Sequence, residues 1–266
     1  MVASCSNTID MIHEIKDGYV KVEKHNAITS IEFFHPQSNS LPGKILEELA
    51  NEIHSAAYAE DTNVIILRSG GDKAFCAGAS FDELLAIKNK EDGLRFFSGF
   101  AHVINAMRKC PRLIIARIQG KCVGGGVGLA AAADYAIAVE GADVKLSELA
   151  IGIGPFVVGP VLERKMGISS FSQLAIDSTL WRSADWARRK GIYAELHPTN
   201  TDMDESVRRL AHTLSHSSPD AMAELKKTTW RDTEHWDDLL IERAAISGRL
   251  VLSDFARDAI TRLKKK

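Results

Sequence analysis

Apolar positions in the first half of the chain follow the spacing of β-strands. Residues 18–24 and 28–34 carry alternating, β-branched or aromatic side chains, and His25-Asn26 between them predicts a hairpin. Three almost continuously apolar runs predict buried strands, at residues 63–69, 113–118 and 135–139. Shorter extended segments are predicted at residues 144–148 and 192–196.

Helical spacing alternates with these strands and dominates the second half of the chain. It predicts helices at residues 43–60, 80–89, 92–109 and, after a glycine-rich turn, 124–133. Residues 152–160 predict a loop that opens a further helix. The pattern is mostly helical from Ser169 onward, with a last helix from about His235 to Lys264. Alternation of strands and helices predicts an α/β core built from crossover units.

The composition is that of a globular protein. The 266 residues are 45% apolar and 26% charged, which argues against a disordered, collagen-like or coiled-coil chain. A formal net charge of −2 provides no basic field, so we expect neither nucleic acid nor a membrane as a partner. No apolar run reaches the about 18 residues that a membrane span requires.

Cysteine and histidine usage argues against metal chemistry. Cys5, Cys76, Cys110 and Cys122 form no CxxC pair, and the nine histidines are scattered. We therefore expect small packing thiols, no metal site and no disulfide framework. Residues 1–18 lack the form of a signal peptide and contain no arginine typical of a transit peptide. These features predict a reduced, cytoplasmic protein.

Two segments rich in small residues follow predicted strands. Residues 74–80 join a strand to a helix, so their backbone N–H groups could bind an anion; the alternative is an ordinary turn. Residues 120–128 contain five glycines, which permit close backbone approach. The register Gly126-x-Gly128-x-x-Ala131 loosely matches a dinucleotide fingerprint. A strand, a helix and a second strand already precede it, which disfavours nicotinamide binding.

Glu148 is the candidate acid or base. It lies in an apolar stretch between Leu146 and Leu149, with Ile151 and Ile153 beyond. Burial would raise the pKa of its carboxyl group and make it a proton acceptor near neutrality. The alternative is a surface glutamate at the end of a strand.

In order and spacing, these segments resemble the crotonase superfamily of enoyl-CoA hydratases and isomerases. The resemblance runs from about Ile28 to the C-terminal helices and rests on Asn39-Ser40-Leu41, residues 75–79, the Gly124-Gly125-Gly126 turn and the Glu148 segment. It implies an α/β fold in which ββα units form a spiral of two roughly perpendicular sheets. It further implies a core at residues 1–200 and a C-terminal helical region at 201–266 that helps build homotrimers or homohexamers.

The resemblance also implies the site. The substrate would be an acyl-CoA thioester, with coenzyme A as part of the substrate and no other cofactor. The backbone N–H groups of Ala79 and Gly125 would polarise the thioester carbonyl, and Glu148 would be the catalytic acid/base. The other residues expected to contact the substrate are Ala77, Gly78, Phe81, Gly124, Gly128 and Pro155. An acyl pocket is expected from Phe81, Leu84, Leu85 and Phe97.

One departure from the family pattern bears on the reaction. Family hydratases use two glutamates, and the position of the first is Gly128 here, which has no side chain. The departure favours a single-glutamate isomerase that converts a 3-enoyl-CoA to a 2-enoyl-CoA. A hydratase, including one for a branched methylglutaconyl-CoA type of substrate, stays open if Asp82, Glu83 or residues 91–92 supply a second carboxylate. Decarboxylation, thioester hydrolysis and a non-catalytic CoA-binding protein are further alternatives.

Overall fold

A computed structural model describes residues 17–264. It begins with the predicted antiparallel hairpin, in which β1 (Tyr19–His25) pairs with β2 (Ile28–Phe34). The turn lies one residue later than predicted, at Asn26 and Ala27, because His25 still pairs with Ile28. Both turn residues have positive φ, 48° and 62°, as a tight two-residue hairpin turn requires.

The central layer is a six-stranded sheet in the order β1-β2-β4-β6-β8-β10. All pairs from β2 onward are parallel. The strands that follow the hairpin are β4 (Val64–Ser69), β6 (Leu113–Ile118), β8 (Tyr135–Val139) and β10 (Glu195–His197). Side chains on both faces of β6 and β8 are buried, which explains their continuous apolar sequences.

Four two-residue strands form a smaller second layer. β3 (Ser40–Leu41) pairs with β5 (Gly78–Ala79), and β7 (Cys122–Val123) pairs with β9 (Val144–Lys145), both in parallel. A parallel bridge between Cys76 and Cys122 links the two pairs. The predicted extension of this last segment to residue 148 is wrong. Glu148 has helical φ and ψ of −61° and −41° and precedes a 3₁₀ turn at Leu149–Ile151.

Ten helices between residues 17 and 264 follow the strands or pack on the sheets. They are α1 (Gly43–Ala57), α2 (Phe81–Ala86), α3 (Lys90–Lys109), α4 (Gly125–Ala132), α5 (Gly159–Ile176), α6 (Ala184–Arg189), α7 (Asn200–Ser215), α8 (Pro219–Thr229), α9 (Trp236–Leu250) and α10 (Asp254–Lys264). Gly167, with φ 74°, kinks α5.

The single last helix predicted from His235 to Lys264 is two helices. The first ends at Leu250, and the hydroxyl of Ser253 accepts the N–H of Ala256 at 3.3 Å to begin the second. A serine within a helical pattern can therefore act as a new N-cap. Lys264 at the end of this helix forms an ion pair with Asp82 on α2.

Three of the four cysteines lie in the described region. Cys76, Cys110 and Cys122 are buried free thiols, and burial raises the pKa of Cys76 to about 12. Cys5 lies outside residues 17–264. Within that range no three His, Cys, Asp or Glu side chains are grouped to hold a metal ion. No helix there is long and apolar enough to cross a bilayer.

Helices α3 and α9 cross at a contact between Gly93 and Gly248. A Cβ added at Gly93 would lie 2.6 Å from the Cα and the carbonyl oxygen of Gly248. The absence of side chains at this point therefore brings the two helix backbones together. This approach fixes α9 against α3, and both helices contribute residues to the cleft described below.

We predict that Gly93→Ala lowers the free energy of unfolding by about 1–3 kcal/mol, because the helices must separate. Gly141→Ala is the matched control, since nothing lies within 4 Å of a Cβ added there. It should change stability by less than about 0.5 kcal/mol. Urea unfolding followed by circular dichroism would measure both changes, and equal stability of the two variants would contradict the role of the crossing.

Candidate active site

The first glycine-containing loop leaves the carboxyl end of β4 and is held by the segment before α1. The Asn39 side-chain amide donates to the carbonyl oxygens of Gly70 and Ala74, each at 2.9 Å. The Ser40 hydroxyl donates to the carbonyl oxygen of Ala79 at 2.8 Å. The N–H of the following residue, Ser80, donates to the carbonyl of Leu41 at 3.1 Å. The last two bonds hold both ends of the peptide group that joins Ala79 to Ser80.

The second loop leaves the carboxyl end of β6 and runs beside the first. The N–H of Val123 donates to the carbonyl of Cys76 at 2.9 Å, and the N–H of Phe75 donates to the carbonyl of Lys121 at 3.0 Å. On its other side, the N–H of Gly124 donates to the carbonyl of Lys145 at 2.9 Å. The first loop, the second loop and β9 are therefore held in one hydrogen-bonded layer.

Glycines let the two loops approach each other closely. A Cβ added at Gly78, where φ is 89°, would lie 3.0 Å from the carbonyl oxygen of Val123 and 3.6 Å from the nitrogen of Gly125. Gly125 is the first residue of α4, so its N–H has no acceptor within the helix. The ring of Phe100 occupies the position of a Cβ at Gly125, 2.2 Å away. The Gly125 N–H is thereby presented close to the Gly78-Ala79 segment.

The Glu148 side chain approaches the two glycine-containing loops from the turn after β9. Its Oε1 lies 2.9 Å from the position of a Cβ on Gly124, and the φ of Gly124 is 53°. The residue is partly buried, but its Oε2 is inaccessible to water and has no hydrogen-bond partner among the described residues. Burial raises the pKa of the carboxyl group to about 7, although a bond from its own backbone N–H opposes the rise. The group can therefore accept and donate a proton near neutrality.

These groups line one cleft of about 580 Å³, measured with its open mouth. Most of its other lining side chains are apolar: Phe81, Leu84, Phe97, Phe100, Val123, Ile151, Ile153, Pro155, Phe156, Val157 and Val158. Glu148 is the one titratable side chain among the described residues that line it. The arrangement brings backbone donors and one carboxyl group together in an apolar surrounding.

The structure brings together most of the residues predicted from the sequence. The cleft is lined by Ala77, Gly78, Ala79, Phe81, Gly124, Gly125, Glu148 and Pro155, with Leu84 and Phe97 of the expected acyl pocket. Leu85 does not line it, because the next position on a helix is rotated by about 100° from Leu84. Leu149 is 50% exposed and does not line the cleft.

Gly128 does not line the cleft, and its contact with the substrate stays a prediction. A Cβ at Gly128 would lie 2.3 Å from Cγ1 and 2.8 Å from Cβ of Val158. The Val158 side chain thus fills the space into which a side chain at position 128 would project.

None of the suggested substitute carboxylates lines the cleft. Asp82 forms an ion pair with Lys264 and accepts a bond from the side-chain amide of Gln37 at 3.1 Å. Glu83 accepts the N–H of Gly43 at 2.8 Å. Asp92, at the start of α3, pairs with Arg95 at 3.1 Å. These carboxylates therefore form hydrogen bonds and ion pairs around α2 and α3, outside the cleft.

Lining residues that were not predicted from the sequence include Phe100, Val158 and Ser247. Phe100 lies one helical turn after Phe97 on α3, so the helical spacing alone could have identified it. Val158 faces Gly128 from the segment before α5, and Ser247 enters from α9. No local signal marks either of these two, because each meets the site only through the tertiary fold.

Comparisons with known proteins identify the family of this chain. A family model described as Enoyl-CoA hydratase/isomerase matches residues 23–260. A probable enoyl-CoA hydratase of Bacillus subtilis (strain 168) is 30% identical over 192 residues, covering 72% of this chain and 74% of the relative. A peroxisomal Delta(3,5)-Delta(2,4)-dienoyl-CoA isomerase of Arabidopsis thaliana is 24% identical over 236 residues, covering 84% of each chain.

Solved structures show the same fold. The crystal structure of enoyl-CoA hydratase from Bacillus halodurans matches with a TM-score of 0.85 at 21% identity, covering 92% of this chain and 99% of that one. The α/β crotonase fold implied by the sequence motifs is therefore confirmed. Since the family model spans most of the sequence, the chain belongs to the enoyl-CoA hydratase/isomerase family.

Proposed function

We propose that the protein isomerises a 3-enoyl-CoA to the conjugated 2-enoyl-CoA, with Glu148 as its single acid/base. The observation that carries the proposal is the contact of Val158 with Gly128. It leaves Glu148 as the one carboxyl group among the described lining residues. Moving a proton between two carbons of one substrate needs one group that both accepts and donates it. Adding water needs a further group to hold and deprotonate the water.

The backbone donors act on the thioester carbonyl. With its oxygen between the N–H groups of Ala79 and Gly125, negative charge that develops on that oxygen is stabilised. One preorganised donor of this kind contributes roughly 3–4 kcal/mol to a transition state. Because the donors belong to hydrogen-bonded backbone, little reorganisation accompanies the change in charge. The C2 proton of the bound thioester becomes acidic enough for a carboxylate to remove.

Glu148 then carries the proton. Its ionised carboxylate takes the C2 proton, which leaves a dienolate with its charge on the thioester oxygen and a neutral carboxylic acid. Burial favours that neutral acid. The acid returns the proton at C4, and the double bond moves from C3–C4 to C2–C3. The aromatic and aliphatic walls exclude water that could protonate the dienolate elsewhere.

The alternative reactions fit the described groups of this cleft less well than isomerisation does. Hydration of a 2-enoyl-CoA requires a second acid/base. Asp82 and Glu83, which could have supplied one, bind Lys264 and Gly43 instead. Decarboxylation or thioester hydrolysis would use the same oxyanion donors without explaining an unpartnered carboxyl group with a pKa of about 7. A non-catalytic role would not explain it either. The expected homotrimer or homohexamer stays a prediction.

We predict rapid conversion of a 3-enoyl-CoA and little water addition to a 2-enoyl-CoA of the same length. Parallel spectrophotometric assays of the purified protein would measure both rates. Glu148→Gln should lower the isomerisation rate at least about a hundredfold, because the amide cannot take the proton. Asp82→Asn is the matched control and should retain the rate within about twofold. Rapid, Glu148-dependent hydration would overturn the assignment as an isomerase.

We predict that isomerisation rises with pH and levels off above about 7, the pKa of Glu148. The sign follows from the mechanism, because the free enzyme must hold Glu148 ionised before it can take the C2 proton. Below this pKa, kcat/KM should fall about tenfold per pH unit. A pH series of initial rates would measure it. A rate that declines as the pH rises through 7 would mean that Glu148 acts first as an acid.

We predict that a carboxylate at position 128 requires removal of the Val158 side chain. Gly128→Glu alone should destabilise the fold by about 1–3 kcal/mol, because the new side chain collides with Val158. The added cost should be smaller in a Val158→Gly background, and measurable hydration of a 2-enoyl-CoA should appear only in the double variant. A double-mutant cycle with unfolding and hydration assays tests this coupling. Additive effects would contradict it.

A further inference from the structure

A second cavity lies at the opposite edge of the central sheet from the active site. The catalytic loops follow the carboxyl ends of β4 and β6, whereas this cavity is built on the amino ends of β6 and β8, at Leu113–Ile115 and Tyr135. It holds about 990 Å³ with its open mouth. Helices α5, α7 and α8 form its other walls. None of its lining residues lines the catalytic cleft.

The acidic residue in this cavity is already neutralised. Asp134 forms an ion pair with the buried Lys226 at 2.8 Å. The same Asp134 oxygen accepts the N–H of Ile114 at 2.8 Å, and the other oxygen accepts the indole N–H of Trp230 at 3.0 Å. Both carboxylate oxygens are therefore engaged, and Asp134 has little negative charge left to offer another cation.

Two cationic side chains line the cavity from α5. The Arg164 guanidinium donates to the carbonyl oxygen of Thr229 and lies 5.9 Å from the ring centroid of Trp230. Lys165 is partly buried and forms no ion pair with a residue between 17 and 264. Burial lowers the pKa of Lys165, while Asp134 opposes the shift and the cations Lys226 and Arg164 add to it. The cavity thus has an excess of positive charge and a lysine without a counter-ion.

The remaining walls are largely apolar. They are formed by Leu113, Ile114, Ile115, Val161, Leu210, Leu214 and Leu225. Leu225 lies at the rim and is 55% exposed. A lysine in an apolar cavity is complementary to a ligand that joins one anionic group to a hydrocarbon body.

We propose that this cavity, the Lys165 cavity, binds the carboxylate of a medium-chain fatty acid. The carboxylate pairs with the ammonium group of Lys165, and the alkyl chain lies against the leucines of α7 and α8. The ion pair supplies the charge that Asp134 cannot provide, and the alkyl chain covers apolar wall that is otherwise open to water. The site is separate from the catalytic cleft and does not depend on which reaction Glu148 catalyses.

Isothermal titration of the full-length protein with octanoate tests the proposal, with octanol as the uncharged probe of equal length. We expect one octanoate bound per chain and much weaker binding of octanol. Lys165→Met should weaken octanoate binding at least about tenfold, because it removes the paired charge and keeps an apolar side chain of similar length. Lys227→Met removes one exposed charge from α8 and should leave the affinity within about twofold.

Leu225→Glu provides a second variant that changes only an exposed rim position, and it should also weaken octanoate binding at least about tenfold by charge repulsion. No detectable binding would overturn the proposal, as would equal affinities of the wild type and Lys165→Met. Equal affinity for octanol would show that the site does not select a carboxylate. Displacement of octanoate by an acyl-CoA would place it in the catalytic cleft instead, and would equally overturn the proposal.

Discussion

The site depends on how closely two backbone segments approach each other. The hydrogen bond from Val123 N–H to Cys76 C=O, at 2.9 Å, joins the loops that follow two neighbouring strands of the central sheet. Only glycine permits this approach at Gly126, where an added Cβ would lie 2.4 Å from the Cys76 carbonyl oxygen. The proposed oxyanion donors are the backbone N–H groups of Ala79 and Gly125. Their positions therefore follow from the sheet and the loops. The surrounding side chains can therefore vary without moving the donors.

The segment before α1 gives the first loop its rigidity. Asn39 is almost fully buried and spans the loop by donating to two carbonyl groups, while Ser40 holds the carbonyl of Ala79. Asn39 has a φ of 56°, a conformation that asparagine tolerates better than most residues. Residues about forty positions away in sequence therefore orient the first donor. In the proposed mechanism, the Asn39-Ser40-Leu41 motif acts through the backbone that it supports.

The sequence predicts best those features that are local. The bounds of β6 and β8 agree with their apolar runs, since strands buried on both faces need continuous hydrophobicity. The two glycine-containing loops and Glu148, which line the cleft, could be predicted from motifs and their order, and their catalytic roles stay predictions. The contact of Val158 with Gly128 could not, because the 29 residues between them fold back to make it. The start of α10 could not be predicted either, because the helical periodicity of the sequence continues through its N-cap, Ser253.

The lack of a second carboxyl group among the described lining residues of the cleft also bears on the proton affinity of Glu148. Two carboxyl groups sharing a cleft would perturb each other's pKa, since like charges disfavour joint ionisation. With the Val158 side chain beside Gly128, the pKa of Glu148 rises to about 7 chiefly through burial. Its Oε2 has no hydrogen-bond partner among the described residues, and in the proposed mechanism a substrate carbon donates and accepts the proton. In the proposed reaction, one carboxyl group among the described lining residues suits the movement of one proton between two carbons, and no second carboxyl group there activates water.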